Sequence, residues 1–472
     1  MRERVSLCMI VKDEAENLPA CLDSVLDLVD ELVVADTGST DNTPEIARRY
    51  GARLVEAPWT DNFAAARNAS LRHATGDWIF WMDADDRLDA VNRQQLQVLF
   101  DSLPAGQVCF LMRCHGSPDA GTLTGFVVSQ PRLFRRHLEL CWEYRVHEQI
   151  WPSIARIGGV FRESPVVIEH RGYDDSELRQ RKRERNLRLL HLEDGERPND
   201  PYILFNLGAI YHQKGEPETA GLLLQRSLER ARGEAAYVPV AYRVLSQCQL
   251  SLGQPAAALA VCQAGRRQYP ADAHLLIQEA VLQGAQGDRR AEEACLLQIL
   301  RLSPPATGLV YDPGLWTYKV RHNLAVLCRD QGRLKEAEEH WRSALAAMPR
   351  FALGWQGLAQ VYLDQQRWPE LEQVLQQLEA GLLAREETTL LRAQAHLARR
   401  EFTAARRLLE AVLPQYPQSL LLHRYYSQAL LWEGHDWDAA ERALRHVLAL
   451  DPHQETSRKN LLLLLQHRTA RA

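Results

Sequence analysis

The sequence lacks the marks of several large classes of protein. Its nine cysteines include no C-x-x-C pair and their number is odd, so neither a paired thiolate metal site nor a closed disulfide framework is indicated. Several of them sit inside apolar runs, where a free cysteine behaves as a small hydrophobe, and a reduced, cytoplasmic protein is the reading. No stretch approaches the roughly 18 apolar residues of a spanning helix. Leu461–Leu465 is short and flanked by Lys459 and His467, and Val5–Val11 suits a strand rather than a signal-peptide core. Nor is there an excess of positive charge. Lys and Arg number 56 against 61 Asp and Glu, for a net charge of −5, which argues against nucleic acid as the partner.

What is present is a chain of 472 residues, too long for one ordinary core. It has two textures. Up to about residue 170, short apolar runs alternate with helical patterns. Strands are expected at Val5–Val11, Glu31–Ala35, Arg53–Val55 and Trp78–Met82. Helices are expected at Leu18–Leu28, at Thr43–Tyr50 with Thr43 as its cap and Pro44 in its first turn, and at Asn62–Ala74. Strand–helix alternation in units of roughly 25 residues implies an α/β domain with a mostly parallel, doubly wound sheet. From about residue 201 the pattern is all-helical and repetitive. Leu324-Ala325, Gly332, Ala337, Trp341, Ala344 and Pro349 follow the spacing of the tetratricopeptide repeat of about 34 residues. Leu207-Gly208, Tyr211, Gly215 and Ala220 repeat it, as do Leu245, Gly253, Ala258 and Pro270. About seven units are expected, interrupted by a loop at Pro304–Leu315. The division is thus an α/β domain over 1–177, a basic helical linker over 178–200 and an all-α solenoid over 201–466. Such an array serves either as a concave surface for a peptide or protein, or as a spacer or dimerisation arm. The linker carries Arg179, Arg181, Lys182, Arg183, Arg185 and Arg188. It reads either as a solvated helix face or as a source of one or two cations facing a diphosphate.

The chemistry concentrates at Trp81-Met82-Asp83-Ala84-Asp85-Asp86. Ligands of open α/β sheets bind beyond the carboxyl ends of the strands, and residues two apart on an extended segment point the same way. Asp83 and Asp85 can therefore converge on one cation, and hard oxygen ligands suit Mn²⁺ or Mg²⁺. Further along, Tyr144–Ile150 sets His147 and Glu148 in an apolar setting, and Val166–Ile168 leads to His170 and then to Gly172-Tyr173. Trp142, Trp151 and Tyr173 could each stack on a sugar, though aromatics at this density are usually core.

Four of these segments resemble, in order and spacing, the conserved blocks of family 2 glycosyltransferases of the GT-A fold: Val5–Glu14, Val33–Thr43, Asp61–Asn68 and Asp83–Asp86. The whole layout is similar to bacterial members of that family that carry tetratricopeptide arrays. The resemblance implies a nucleotide-sugar donor, usually a UDP-sugar, a divalent cation and an inverting transfer. It implies that Asp36 holds the base, that Glu14 lies near the nucleoside, and that Arg67 neutralises phosphate or holds the nucleotide. Asp83 would contact the ribose or the metal-bound diphosphate, and Asp85 would ligate the metal. His170 would be a further ligand, Glu148 the base and His147 its neighbour.

Each position has a plainer alternative. Asp36 could close its own turn, Arg67 could form a surface salt bridge, and Glu148 could pair with Arg132 or Arg145. Only about 90 residues separate Asp86 from the basic helix, which leaves the acceptor side to be completed by the repeats or by a second copy in a homodimer. Two rivals follow. One is a non-catalytic repeat scaffold with a nucleotide-sugar-binding head. The other is a nucleotidyltransferase, but Lys12–Asn17 is acidic and has no glycine, unlike the basic phosphate loop that such an enzyme needs.

Overall fold

A computed structural model of the protein describes residues 3–116, 126–172, 176–232, 235–304, 311–379 and 384–469. The chain divides into two compact units, Met1–Trp316 and Thr317–Ala472. The first repeat helices fall in the same unit as the sheet.

The first unit is built on an eight-stranded sheet. Its strands are β1 (Val5–Val11), β2 (Glu31–Asp36), β3 (Arg53–Glu56), β4 (Trp78–Trp81), β5 (Asp86–Arg87), β6 (Val108–Gly116), β7 (Val127–Arg135) and β8 (Val160–His170), in the order β3-β2-β1-β4-β7-β6-β8-β5. The half made of β3, β2, β1 and β4 is parallel, as the alternation of elements predicts. The other half is mixed. β7 runs antiparallel to β4 and β6, β6 runs parallel to β8, and β5 runs antiparallel to β8.

β1 is buried almost throughout because both faces of the sheet are covered, which is why it reads as a continuous apolar run. Leu7, Met9 and Val11 pack on one side with Leu18, Leu22, Ile46, Leu96 and Phe100. Cys8 packs on the other with Val33, Ile79, Trp81, Ala64 and Ile154. The first side belongs to α1 (Leu18–Asp23), α2 (Thr43–Arg49) and α4 (Ala90–Asp101), the second to α3 (Phe63–His73) and α5 (Trp151–Arg156). Eight of the nine cysteines are buried. Burial pushes the thiols of Cys8 and Cys114 up to about 12 and about 11, which makes them inert core.

Thr43 is not the cap of α2. Asn42 holds that position, and Thr43 is the first helical residue. Its hydroxyl accepts from the Glu14 N–H at 2.8 Å and donates to Asp41 at 2.5 Å, so it ties the loop after β1 to the loop after β2.

The basic linker is one helix, α6 (Ser176–Glu196). Leu189 and Leu190 are buried against Val146, Ile203 and Leu207, so this face of α6 is not solvated. Three helical hairpins follow: α7 (Pro201–Gln213) with α8 (Pro217–Arg230), α9 (Val238–Ser251) with α10 (Pro255–Gln268), and α11 (Ala273–Ala285) with α12 (Arg289–Ile299). The expected loop at Pro304–Leu315 lies partly outside the described residues. Its end does more than connect, because Tyr311 pairs with Val127 at the start of β7 through two backbone hydrogen bonds of 2.9 and 2.8 Å.

The second unit holds four more hairpins among the described residues: α13 (Tyr318–Asp330) with α14 (Leu334–Ala347), α15 (Ala352–Asp364) with α16 (Trp368–Gln377), α17 (Arg385–Ala398) with α18 (Phe402–Val412), and α19 (Leu420–Glu433) with α20 (Trp437–Leu450). α21 (Glu455–Thr469) follows them. The recurring small residues have a steric cause. Ala220, Ala258, Ala337, Ala405 and Ala440 are fully buried. A Cβ added at Gly357 would lie 2.1 Å from Trp341 Cε2, closer than any real contact. Among the described residues, no helix is long and apolar enough to cross a membrane.

Gly357→Ala is therefore expected to destabilise the second unit by about 1–3 kcal/mol through overpacking, read by chemical denaturation. An unchanged midpoint would mean that Trp341 does not fill the space beside α15.

Candidate active site

Strand ends set the site. Cys8 of β1 lies beside Trp81 of β4, and Val11 lies beside Asp36 of β2. Beyond Trp81 the chain turns: the Asp86 N–H donates to the Asp83 carbonyl at 3.1 Å, and the Asp83 N–H donates to Asp86 Oδ2 at 2.9 Å. Asp86 then pairs with His170 in the β5–β8 ladder, which brings a residue 84 positions away onto the turn.

The Asp86 carboxylate is wholly enclosed. Arg132 Nη1, itself buried, donates to Oδ2 at 2.7 Å, and His170 Nδ1 lies 3.0 Å from Oδ1. Burial alone would raise this carboxyl, but Arg132 and His170 outweigh it and hold it at about 2. Asp86 is thus a charged anchor. The Arg132 guanidinium also lies 3.7 Å from the Trp81 ring centroid, in cation–π contact.

In front of this anchor lie Asp83 and Asp85. Together with Asp86 and His170 they offer ligand atoms that all fall within 4.8 Å of one another. His170 Nδ1 is 3.4 Å from Asp85 Oδ1. The hydrogen bond to Asp86 lifts the imidazole pKa above its ordinary value, against the effect of burial. Burial raises the Asp85 carboxyl, and Asp83 and Asp86 add to this while His170 opposes it. Glu14 is also raised, by burial first and then by Asp85 and Asp83, against a hydrogen bond from Asn17. Carboxylates crowded in this way are stabilised by a cation.

The segment Asp61–Asn68 explains itself residue by residue. Asp61 receives both terminal nitrogens of Arg188 from α6, at 2.6 and 2.7 Å. Asn62 caps α3 by accepting from the Ala65 N–H. The Phe63 N–H donates to the Arg145 carbonyl. Asn68 clamps the backbone of Trp142 with bonds of 2.8 and 2.9 Å. Arg67, only 7% exposed, donates from Nε to Glu148 at 2.7 Å and from Nη2 to Asp83 at 3.0 Å. Its guanidinium lies 4.2 Å from the Trp81 ring and 5.0 Å from the Trp142 ring, and these indoles meet edge to face at 89°.

Glu148 sits in a loop closed by the Glu143–Gln149 bridge. Tyr144 and His147 have positive φ, 71° and 56°, a costly conformation for such residues. It is held from α7, where the Tyr202 hydroxyl donates to the His147 carbonyl at 3.1 Å. His147 is solvent-accessible as a residue, while the protein around its ring lowers the imidazole pKa.

The structure thus gathers Asp83, Asp85, Glu148, His170 and Arg67 at one place, with Glu14 in electrostatic reach. Asp36 instead closes its own turn, accepting from the Gly38 and Ser39 N–H groups and the Ser39 hydroxyl. The partner of Glu148 is Arg67, not Arg132 or Arg145. Trp142 and Trp151 are packed aromatics, the latter 4.1 Å from Phe161, and Tyr173 lies outside the described residues. The reading from sequence missed the anchoring roles of Asp86 and Arg132. The signal available was the third carboxylate of the turn, which directly follows a buried strand and, once enclosed, needs a cation.

The glycosyl transferase family 2 model matches residues 6–154, and tetratricopeptide repeat models match 203–236 and 323–381. A TPR repeat-containing protein of Synechococcus elongatus is 33% identical over 356 residues, covering 73% of this chain and 76% of that protein. The SPbeta prophage-derived glycosyltransferase SunS of Bacillus subtilis is 29% identical over 228 residues, 47% of this chain and 52% of SunS. An uncharacterized glycosyltransferase of Rickettsia felis is 32% identical over 100 residues, 21% of this chain and 35% of that one. The fold and these matches define a glycosyltransferase. The chain belongs to the family 2 glycosyltransferases that carry tetratricopeptide repeats.

Breaking the buried anchor has a calculable cost. Arg132→Met leaves the Asp86 charge enclosed without its cation and is expected to cost about 3–5 kcal/mol at neutral pH. In the wild type this pair contributes fully above the ordinary aspartate range, and the contribution fades as the pH falls toward about 2. The variant is expected to lose that rise of stability on leaving acid, measured by denaturant unfolding across the acid range. A wild-type slope in the variant would refute the pairing.

Proposed function

We propose that the chain transfers one sugar, with inversion, from a UDP-sugar to an acceptor held by the repeats, and that it does so with a divalent cation bound by Asp85 and His170. The observation that carries this reading is the convergence of Asp83, Asp85, Asp86 and His170 within 4.8 Å, next to the Arg67–Glu148 pair. The donor set fits the group: carboxylate oxygens with one imidazole suit Mn²⁺ or Mg²⁺. Asp86, engaged at both oxygens, serves behind His170 as the carboxylate that orients a metal-binding imidazole. Bound there, the cation supplies charge to the departing diphosphate.

The chain's own groups do the rest. Glu148 takes the acceptor proton as the acceptor oxygen or sulfur bonds to the anomeric carbon and the bond to the nucleoside diphosphate breaks. One displacement from the opposite side inverts that carbon. Arg67 holds Glu148 by Oε1 and Asp83 by Oδ1, fixing the base relative to the donor side. Asp83 then meets the ribose or the diphosphate, Glu14 lies near the nucleoside, and Asp36 presents the turn beside the base. The acceptor is a peptide or protein. This rests on the repeats themselves, since helical hairpins of this kind serve as peptide-binding surfaces, and on the lock between Tyr202 of the first repeat helix and the loop that carries Glu148.

With Mn²⁺ and a panel of UDP-sugars, the wild type is expected to release UDP slowly. Asp85→Ala should lower that rate by at least about a hundredfold while circular dichroism stays unchanged, and retained activity would defeat the metal assignment. The pH dependence has a definite sign. A proton on His170, favoured in the metal-free protein by Asp86, must leave before the imidazole can ligate. Mn²⁺ affinity should therefore rise from about pH 6 to about pH 8 by calorimetry, beyond the ordinary histidine value, and His170→Gln should flatten the rise. An equal rise in that variant would exclude His170.

A further inference from the structure

The catalytic cleft has an electrostatic gap. Among the described residues, Glu14, Asp83, Asp85, Asp86 and Glu148 surround two buried guanidinia, and both of these are engaged. Arg132 is bound to Asp86 and Arg67 to Asp83 and Glu148. Arg87 is directed at the carbonyls of Ala84, Asp86 and Asn17, and Arg171 at Glu169. A diphosphate entering this site adds further negative charge. One divalent cation does not balance it, so other cations must reach the phosphates.

Helix α6 is placed to bring them. It begins just beyond Gly172, where an added Cβ would lie 3.3 Å from His170 Nε2 and 3.6 Å from Asp85 Oδ2. Its rotation is fixed farther along by the Arg188–Asp61 pair and by Leu189, buried against the core that contains Val146. Residues three apart share a helix face, so Lys182 lies on the face of Arg185, and Arg188, three residues further on, reaches Asp61 before α3. The Arg185 guanidinium rests 4.8 Å from the Phe63 ring, four residues before Arg67. Its hydrogen bonds go to Asn186 of its own helix, at 3.1 and 3.3 Å, and not to a carboxylate. Arg181 is engaged with Glu177 at 2.6 Å.

We propose that α6 is part of the donor site, with Lys182 and Arg185 receiving the diphosphate of the nucleotide sugar opposite the Asp85–His170 cation pocket. The inference rests on the donor reading given above. Lys182 is near enough to Glu14 to favour its charged form, and Arg185 is near enough to Glu148 to interact with it. On this account the helix leading to the repeats is also a wall of the active site.

The test is calorimetry on the full chain in Mn²⁺, using UDP, GDP, CDP and ADP and the matching monophosphates. The wild type should bind one diphosphate more tightly than its monophosphate. Lys182→Gln with Arg185→Gln should weaken that diphosphate by at least about tenfold and shrink its advantage over the monophosphate. Lys182→Arg should restore part of it, and Arg181→Gln should change nothing. Unchanged diphosphate affinity in the double variant, or an equal loss for both nucleotides, overturns the role of α6 while leaving the donor reading intact. Failure of the wild type to bind any diphosphate overturns the donor reading itself, and this proposal with it.

Discussion

One guanidinium holds the site together. Arg67 arises from the middle of α3, yet its two edges are bound by residues from distant parts of the chain, Asp83 after β4 and Glu148 in the loop before α5. Burial would disfavour its charge, but Asp83 and Glu148 more than restore it, and the indoles of Trp81 and Trp142 enclose it. In so dry a place the charge must be matched and every direction of the fork is fixed. The separation between the Asp83 and Glu148 carboxylates is thereby set by one rigid plane rather than by two flexible loops. The cost of the surrounding strain, at Tyr144 and His147, is met by Asn68, Arg145 and Tyr202.

A second buried cation works behind the first. Arg132 keeps Asp86 charged, Asp86 orients His170, and the imidazole is presented to Asp85. The same Trp81 ring supports both guanidinia. Three acidic residues in one turn meet different surroundings: Asp86 is enclosed and ion-paired, Asp85 stands against His170, and Asp83 is shared with Arg67.

Much of this was legible in the sequence where the signal is local. The apolar runs of β1, β2 and β4 locate themselves because strands buried on both faces cannot carry polar residues, and the turn after Trp81 declares its chemistry by carboxylate density. The repeats were legible because tight helix pairing demands small residues at fixed offsets, as Gly357 against Trp341 shows. What escaped were pairings across distance. Nothing near Arg132 in sequence marks it as the partner of Asp86, 46 positions away, since the contact depends on β7 returning antiparallel beside β4. The mixed half of the sheet escaped for the same reason, being built by strands whose order departs from chain order. Thr43 misled because a threonine before Pro44 looks like a cap, whereas its hydroxyl is used to hold the backbone of Glu14. Two further contacts across distance escaped as well: α6 packs its leucines in one cluster with Val146 of the loop that carries Glu148, and Tyr311 reaches back to β7.

The proposed mechanism needs a divalent ion between the carboxylates and the imidazole. Anomalous diffraction at the manganese edge, from crystals grown with Mn²⁺ and a nucleoside diphosphate, locates that ion without reference to activity. The account predicts one strong peak about 2.2 Å from an Asp85 oxygen and from His170 Nε2, with Asp86 still bound to Arg132. A peak elsewhere, or ordered diphosphate with no manganese at Asp85 and His170, would contradict it.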